Sequence, residues 1–134
     1  MSRKHSGVLR LLGGPGIFTP LLMEGYNAVS KGGAMRHFNL IVSEENEAFL
    51  NEEQSGPRNG GFQYWFSFPN GYAGSVIKGP YTYGGNRDLW ELAVMDDNTR
   101  DVCYDTQITD GVLGWLKDEA VNYYLDQIKA LPAK

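Results

Sequence analysis

The chain has few of the residues on which disulfides, metal sites and catalytic triads depend. A single cysteine, Cys103, rules out an internal disulfide and favours a cytoplasmic protein over a secreted one. A two-histidine metal site would have to combine His5 with His37, and a lone histidine in a strand is usually structural. No apolar run reaches the ~18 residues of a membrane helix. The sequence therefore predicts a cytoplasmic protein with no metal, no cofactor and no membrane contact.

Two further groups of reactive residues do not match a catalytic or metal-binding pattern. Cys103 lies between Asp101 and Asp105, whose charges would raise the pKa of the thiol, whereas a nucleophilic cysteine needs a lowered pKa. The acidic segment 96–101 lacks the glycine and the distal glutamate of a calcium loop, and Arg100 stands at a ligand position. We therefore assign no catalytic and no metal-binding residue. A hydrolase that uses carboxylates is kept as a further alternative.

Charge divides the chain into two unlike parts. Residues 1–34 carry four basic residues and one acidic residue, together with seven of the 17 glycines, and show no sustained period. They are interpreted as a flexible tail or as a mis-assigned leader ahead of a start at Met35. The second interpretation arises because Lys31-Gly32-Gly33 can be encoded by a sequence that resembles a bacterial ribosome-binding site. Residues 35–134 are predicted to form a single domain, whose net charge of −7 disfavours a nucleic-acid partner.

Branched and aromatic residues predict several strands after residue 35. The strongest is 62–68, in which every second residue from Phe62 to Phe68 is aromatic and faces the same side. Asn70-Gly71 is typical of a type I′ turn and connects this strand to a hairpin partner over 72–78. Further strands are predicted over 37–42, over 89–95 and, as a polar edge strand, over 99–105, with loops over 54–61 and 81–88.

Helices are predicted after the first of these strands and near the C-terminal end. Residues 44–53 form a short acidic helix with Ser43 as its N-cap. A second short helix is predicted over 109–116, and a third over 118–131, where an apolar stripe recurs with helical spacing. The opposite face of the third helix, which includes Asn122, is predicted to be solvated. Together these elements predict an α+β fold: an antiparallel sheet of about four strands with the C-terminal helices packed on one face.

The most unusual feature of the sequence is a surplus of aromatic side chains. The aromatic residues of strand 62–68 already fill one face, so other aromatic side chains must lie away from that face. Aromatic residues outside a core, beside a glycine-rich loop, suit contact with a protein or a small molecule. A basic residue in the same loop would pair with an anionic ligand. The candidate binding residues are Trp65, Tyr72, Tyr81, Tyr83 and Arg87.

A pattern of turn, core and loop residues runs through the second half of the chain. It comprises Asn70-Gly71-Tyr72, Ser75-Val76-Ile77, Tyr83-Gly84-Gly85, Leu89-Trp90-Glu91-Leu92-Ala93-Val94 and Tyr104-Asp105-Thr106-Gln107-Ile108-Thr109-Asp110, followed by Gly114-Trp115-Leu116. Over residues 70–131 the chain resembles small uncharacterised proteins encoded by bacteriophages and prophages. This resemblance implies an accessory protein of the host-cell cytoplasm and brings no catalytic residues with it.

These observations favour a non-enzymatic phage accessory protein that binds and modulates a host protein. The alternative is a small-ligand-binding protein, or sponge, whose pocket includes the loop from Tyr81 to Arg87. The expected partner is therefore a host protein, with a small-molecule ligand or a second copy of the chain left open. Neither a nucleic acid nor a membrane is expected as a partner.

Overall fold

A computed structural model of the chain describes residues 38–134 in full and, before them, only the backbone of four strands. The strands are β1 (Gly7–Arg10), β2 (Pro20–Glu24), β3 (Ala28–Val29), β4 (Met35–Arg36), β5 (Leu40–Ser43), β6 (Gly56–Arg58), β7 (Gly61–Ser67), β8 (Tyr72–Lys78), β9 (Trp90–Asp96) and β10 (Val112–Leu116). The helices are α1 (Glu44–Glu47) and α2 (Asp118–Lys129), with a 3₁₀ turn at Gly85–Arg87. In the part of the chain described, neither helix has the length and apolar character needed to cross a membrane.

Five strands form one antiparallel sheet in the order β10-β9-β8-β7-β6. A second sheet has the order β1-β2-β5, and β3 pairs with β4. Helix α2 packs on β5, β8 and β9. This arrangement confirms the predicted α+β fold with an antiparallel sheet, although the sheet has five strands rather than about four. Strands β1, β2 and β3 fall within residues 1–34, and the two interpretations of that segment stay predictions.

The largest departure from the prediction is at 109–116, where an edge strand replaces the expected helix. Gly111 and Gly114 disfavour a helix, because each glycine costs about 1 kcal/mol relative to alanine in a helix interior. Pairing with β9 instead packs Leu113 and Leu116 against the core. Tertiary burial therefore decides the structure of a segment whose local helix signal is weak.

The two edges of the five-stranded sheet also differ from the prediction. The polar edge strand expected over 99–105 is reduced to an isolated bridge between Val102 and Met95, and β10 pairs with β9 in its place. At the opposite edge, the loop expected over 54–61 contains β6, which pairs with β7. Charged residues disfavour a strand over 99–105, and the glycine and proline of β6 weaken its local strand signal.

The N–H of Phe68 donates to the carbonyl oxygen of Tyr72 over 3.0 Å, so the hairpin between β7 and β8 closes on a three-residue loop, 69–71, rather than on the predicted type I′ turn. Gly71 has a φ of 90°, but Asn70 is not in the left-handed region. The cause is Pro69, whose ring fixes a negative φ at the first loop position, so that only Gly71 needs the left-handed conformation. The Asn70 side chain is then free to bind α2: its Nδ2 donates to the carbonyl oxygens of Ile128 and Leu131 over 2.8 and 3.0 Å.

One face of the sheet forms the core, as the alternation in β7 predicts. The aromatic side chains from Phe62 to Phe68 on this face are all buried. Helix α2 covers them with three fully buried residues, Val121, Leu125 and Ile128, and β5 adds Leu40 and Val42. The predicted apolar stripe of the last helix is therefore confirmed.

Helix α1 is shorter than predicted, although its cap is confirmed. The backbone N–H of Asn46 donates to Ser43 Oγ over 3.1 Å, as expected of an N-cap. The helix ends at Glu47 because the following segment pairs with β7 instead. Asn51 N–H donates to the carbonyl of Trp65 over 2.8 Å, and Phe49 accepts from β7 in the same way.

Asn122, predicted to face solvent, is only 9% exposed and joins α2 to β5. Its Nδ2 donates to the carbonyl oxygen of Ile41 over 2.8 Å, and its Oδ1 accepts from the N–H of Ser43 over 2.8 Å. Asp118 makes a similar link at the start of α2, because it accepts from the N–H of Ile41 and from Nε1 of Trp90. Burial raises the pKa of the Asp118 carboxyl.

Candidate functional site

The five residues predicted to bind a partner do not form one site. Tyr81, Tyr83 and Arg87 lie in the loop between β8 and β9 and are exposed, by 87% for Tyr81 and 61% for Tyr83. Trp65 is only 4% exposed, and Tyr72 is half-buried. The loop residues are therefore the ones that a partner can reach without rearrangement of the chain.

Trp65 and Tyr72 make contacts within the fold instead. Trp65 lies away from the core face, as predicted, but its Nε1 donates to Asp97 Oδ1 over 2.9 Å. The guanidinium carbon of Arg100 lies 5.8 Å from the centre of the indole ring. Tyr72 has Lys134 Nζ at 5.0 Å from its ring centre. Side chains from distant parts of the chain thus cover both rings.

The loop that carries Tyr83 is fixed against β10 by close backbone contacts. The N–H of Trp115 donates to the carbonyl oxygen of Tyr83 over 3.2 Å, and the N–H of Tyr83 donates to Glu91 Oε1 over 3.0 Å. A Cβ at Gly114 would lie 2.4 Å from the Cβ of Tyr83, and a Cβ at Gly84 would lie 2.9 Å from the Cα of Trp115. The contact between loop and strand therefore requires glycine at both positions.

Trp115 is the residue of this region that sequence reasoning missed. It is 60% exposed and has a φ of 60°, a left-handed conformation that costs a bulky side chain about 1–2 kcal/mol. It lies where the register of β10 shifts between Leu113 and Leu116, as in a β-bulge. Gly114 was the available signal, because an isolated glycine in an apolar segment often marks a bulge.

We name the exposed residues of the loop and of the neighbouring strand the aromatic edge: Tyr81, Tyr83, Val112 and Trp115. β10 is the outermost strand of its sheet, and no other described strand pairs with its outer side. The aromatic edge thus combines large exposed side chains with a strand edge that no other described strand covers. Both are features by which proteins contact other proteins.

Arg87 extends the aromatic edge with a positive charge. It ends the 3₁₀ turn Gly85–Arg87 and is exposed. The ion pairs between described residues, Lys78–Asp88 and Lys134–Asp96, do not involve it. Its guanidinium group is therefore available to a carboxylate of a partner.

The groups considered for catalysis have the properties of structural residues. Burial raises the pKa of the Cys103 thiol, which keeps it in the less reactive protonated form. A hydrogen bond from Lys134, followed by those from the N–H groups of Thr99 and Asn98, lowers the pKa of Asp96 to about 2. Among the described residues, no group of three histidine, cysteine or acidic side chains is placed to hold a metal ion.

The aromatic edge is thus defined by exposure, backbone strain and open strand geometry. These properties are typical of a surface that contacts another molecule. Comparison of the chain with protein-family models, with curated proteins and with solved structures finds no match.

Proposed function

We propose that this chain is a non-enzymatic binding protein and that the aromatic edge is the surface with which it contacts another protein. The observation that carries the proposal is Trp115, a large apolar side chain that is 60% exposed although its backbone has a φ of 60°. Neither burial nor backbone preference stabilises a tryptophan at this position. Tryptophan and tyrosine are, however, the residue types that contribute most at protein interfaces.

The hydrogen-bonded backbone of Tyr83 supports the same proposal. Trp115 and Glu91 hold this backbone, so the tyrosine projects from a fixed point of the chain before a partner arrives. A preformed contact loses less conformational entropy on binding than a flexible one. Arg87 adds a group that pairs with carboxylates at the rim of such a surface.

The partner that we propose is a host protein, which is what an accessory protein encoded by a phage would engage. The net charge of −7 over residues 35–134 argues against a nucleic acid, because the domain as a whole would repel a backbone that carries many phosphates. A second copy of the chain is the main competitor, since the open side of β10 could pair with itself.

Native mass spectrometry of the chain purified gently from its natural host tests this proposal. We compare the original protein with Trp115→Ser and with Tyr123→Ser, a control whose tyrosine is 58% exposed on the outer side of α2. The expected result is a second, host-encoded protein bound to the original chain and to the control but not to Trp115→Ser. A partner retained by Trp115→Ser, or a spectrum that contains only copies of the chain, would contradict the proposal.

A further inference from the structure

A recess on the sheet face opposite the core has the composition of an anion site. Its volume is about 190 Å³. None of its lining residues belongs to the loop from Tyr81 to Arg87, where a ligand pocket was predicted from the sequence. The recess is thus separate from the aromatic edge. It is lined by Gln54, Arg58, Gln63, Trp65, Met95 and Arg100.

Two arginine side chains meet at this recess in a domain with a net negative charge. Arg58 Nη1 donates to Gln63 Oε1 over 3.0 Å, and Arg100 Nη1 donates to Gln54 Oε1. Neither arginine takes part in an ion pair with a described carboxylate. A neutral amide orients a guanidinium group without cancelling its charge, so both charges remain available to a ligand.

The side chain that orients Arg58 is itself fixed by the sheet. Gln63 and Ser75 lie opposite the core on β7 and β8 and are each only 6% exposed. Gln63 Nε2 donates to Ser75 Oγ over 2.6 Å, which leaves Gln63 Oε1 directed to Arg58. The arginine is therefore held by a buried hydrogen-bonded chain rather than by solvent-exposed contacts alone.

Arg100 occupies a backbone position that favours glycine or asparagine. Its φ is 67°, and its N–H donates to the carbonyl oxygen of Asp96 over 2.8 Å to close the turn after β9. The turn directs the guanidinium group over Trp65, 5.8 Å from the ring centre. An arginine that lines a recess from a strained backbone position is typical of functional sites, where backbone strain is concentrated.

The acidic residue Asp97 contacts Trp65 in the lining of the recess, but it does not pair with either arginine. Its Oδ1 accepts from Trp65 Nε1 and from Ser67 Oγ, each over 2.9 Å. These bonds direct the carboxylate to the indole and the hydroxyl group rather than to either guanidinium group. Among the described residues, neither guanidinium group of the recess is therefore paired with a carboxylate.

We infer that this recess binds the phosphoryl group of a small ligand through Arg58 and Arg100. A phosphoryl group carries about two negative charges near neutral pH, which two guanidinium groups match, and its oxygens accept paired hydrogen bonds. The recess is smaller than the roughly 300–1,000 Å³ of pockets that enclose whole ligands, so it holds one group of the ligand. This inference does not depend on the protein partner proposed for the aromatic edge.

Isothermal titration calorimetry at constant ionic strength tests the inference with three probes: inorganic phosphate, phenyl phosphate and acetate. Saturable binding of either phosphate probe, tighter than that of acetate, is expected. Tighter binding of phenyl phosphate would identify a phosphate ester as the ligand class, and tighter binding of inorganic phosphate would identify the free ion. Absence of saturable binding, or acetate binding as tightly as phosphate, would overturn the inference.

Variants locate the bound probe. Arg58→Gln and Arg100→Gln should each weaken phosphate binding about tenfold or more, because each removes a charge-assisted hydrogen bond. Arg58→Lys should recover part of the loss, since it keeps the charge but not the fork of donors. Lys117→Gln, at an exposed lysine outside both the recess and the aromatic edge, should change the affinity less than about twofold. Equal losses in all variants, with circular dichroism unchanged, would place the anion elsewhere and overturn the site.

Discussion

Two of the four described non-glycine residues with positive φ angles lie on the surfaces proposed to bind other molecules. Trp115 on the aromatic edge and Arg100 in the recess both have positive φ angles, of 60° and 67°. Stability alone would favour glycine at both positions, because glycine adopts this conformation without steric cost. Residues held against their backbone preference are concentrated at functional sites, where the side chain compensates through its function.

Substitutions at Trp115 measure this strain directly. Trp115→Gly should be more stable than Trp115→Ala by about 1 kcal/mol, because only glycine adopts a φ of 60° freely. At Val112, an exposed residue of the same strand with an ordinary φ, the order should reverse, since glycine weakens a strand interior. Urea unfolding of the four variants gives both differences. The same order at both positions would contradict the assigned strain.

Asp96 is expected to make the free energy of unfolding fall as the pH becomes acidic. Its pKa falls from 3.8 to about 2 on folding, chiefly through Lys134 Nζ at 2.5 Å, so the folded state favours the carboxylate. This stabilisation is complete above the unfolded pKa and is lost as the pH falls through the folded one. Asp96→Asn should therefore be less stable than the original chain at about pH 5, and the difference should shrink at about pH 2.5. Asp126→Asn, on the exposed side of α2, is the control, and a difference independent of pH would contradict the assignment.

Sequence periodicity predicts the burial of a single side chain well only where the face of the strand on which it lies decides whether it is buried. The alternation from Phe62 to Phe68 correctly predicts the buried face of β7, and it places Trp65 away from that face. It does not predict that Trp65 is only 4% exposed. That burial depends on Asp97 and Arg100, about 30 residues further along the chain, and on the turn that positions them.

At the level of elements, α2 is held on the sheet by buried polar contacts as well as by its apolar stripe. Asn122 joins it to β5. The Asn70 side chain in the β7–β8 hairpin donates to the carbonyl oxygens of Ile128, near the end of α2, and of Leu131, just after it. A helix fixed at both ends in this way has a defined register on the sheet. The apolar stripe alone would allow sliding along the helix axis.

Replacement of Asn122 by alanine should destabilise the fold by about 3 kcal/mol, because buried backbone groups of Ile41 and Ser43 lose their partners. Gln127→Ala, an exposed amide on the same helix, should change stability by less than about 0.5 kcal/mol. The measurement is the free energy of unfolding from chemical denaturation. Equal effects of the two substitutions would show that the Asn122 contacts contribute little.

Whether a segment forms a helix or a strand is predictable where its local sequence pattern and its tertiary contacts favour the same structure. The β7–β8 hairpin and α2 follow from alternation and from helical spacing, and both are confirmed. β10 was missed because two glycines leave its local pattern without a clear period, so pairing with β9 decides its structure. The aromatic edge depends on β10, and for this reason Trp115 could not be placed beside Tyr83 from the sequence.

At the scale of the whole molecule, each side of the sheet carries a different structural feature. One face packs under α2 and β5, the opposite face carries the arginine recess, and the β10 side presents the aromatic edge. The net charge of −7 over residues 35–134 disfavours non-specific attraction to nucleic acids. A specific contact with a ligand or a protein must then depend on local groups, such as the arginines of the recess and the side chains of the aromatic edge.

The most direct test is photo-crosslinking from inside the aromatic edge. A photoreactive phenylalanine analogue placed at Tyr81, which is 87% exposed, should form a covalent adduct with one host protein in cells of the natural host. The same analogue at Tyr123, on the outer side of α2, should form none. Adducts from both positions, no adduct from position 81, or adducts only between copies of the chain would contradict the claim that the aromatic edge binds a host protein.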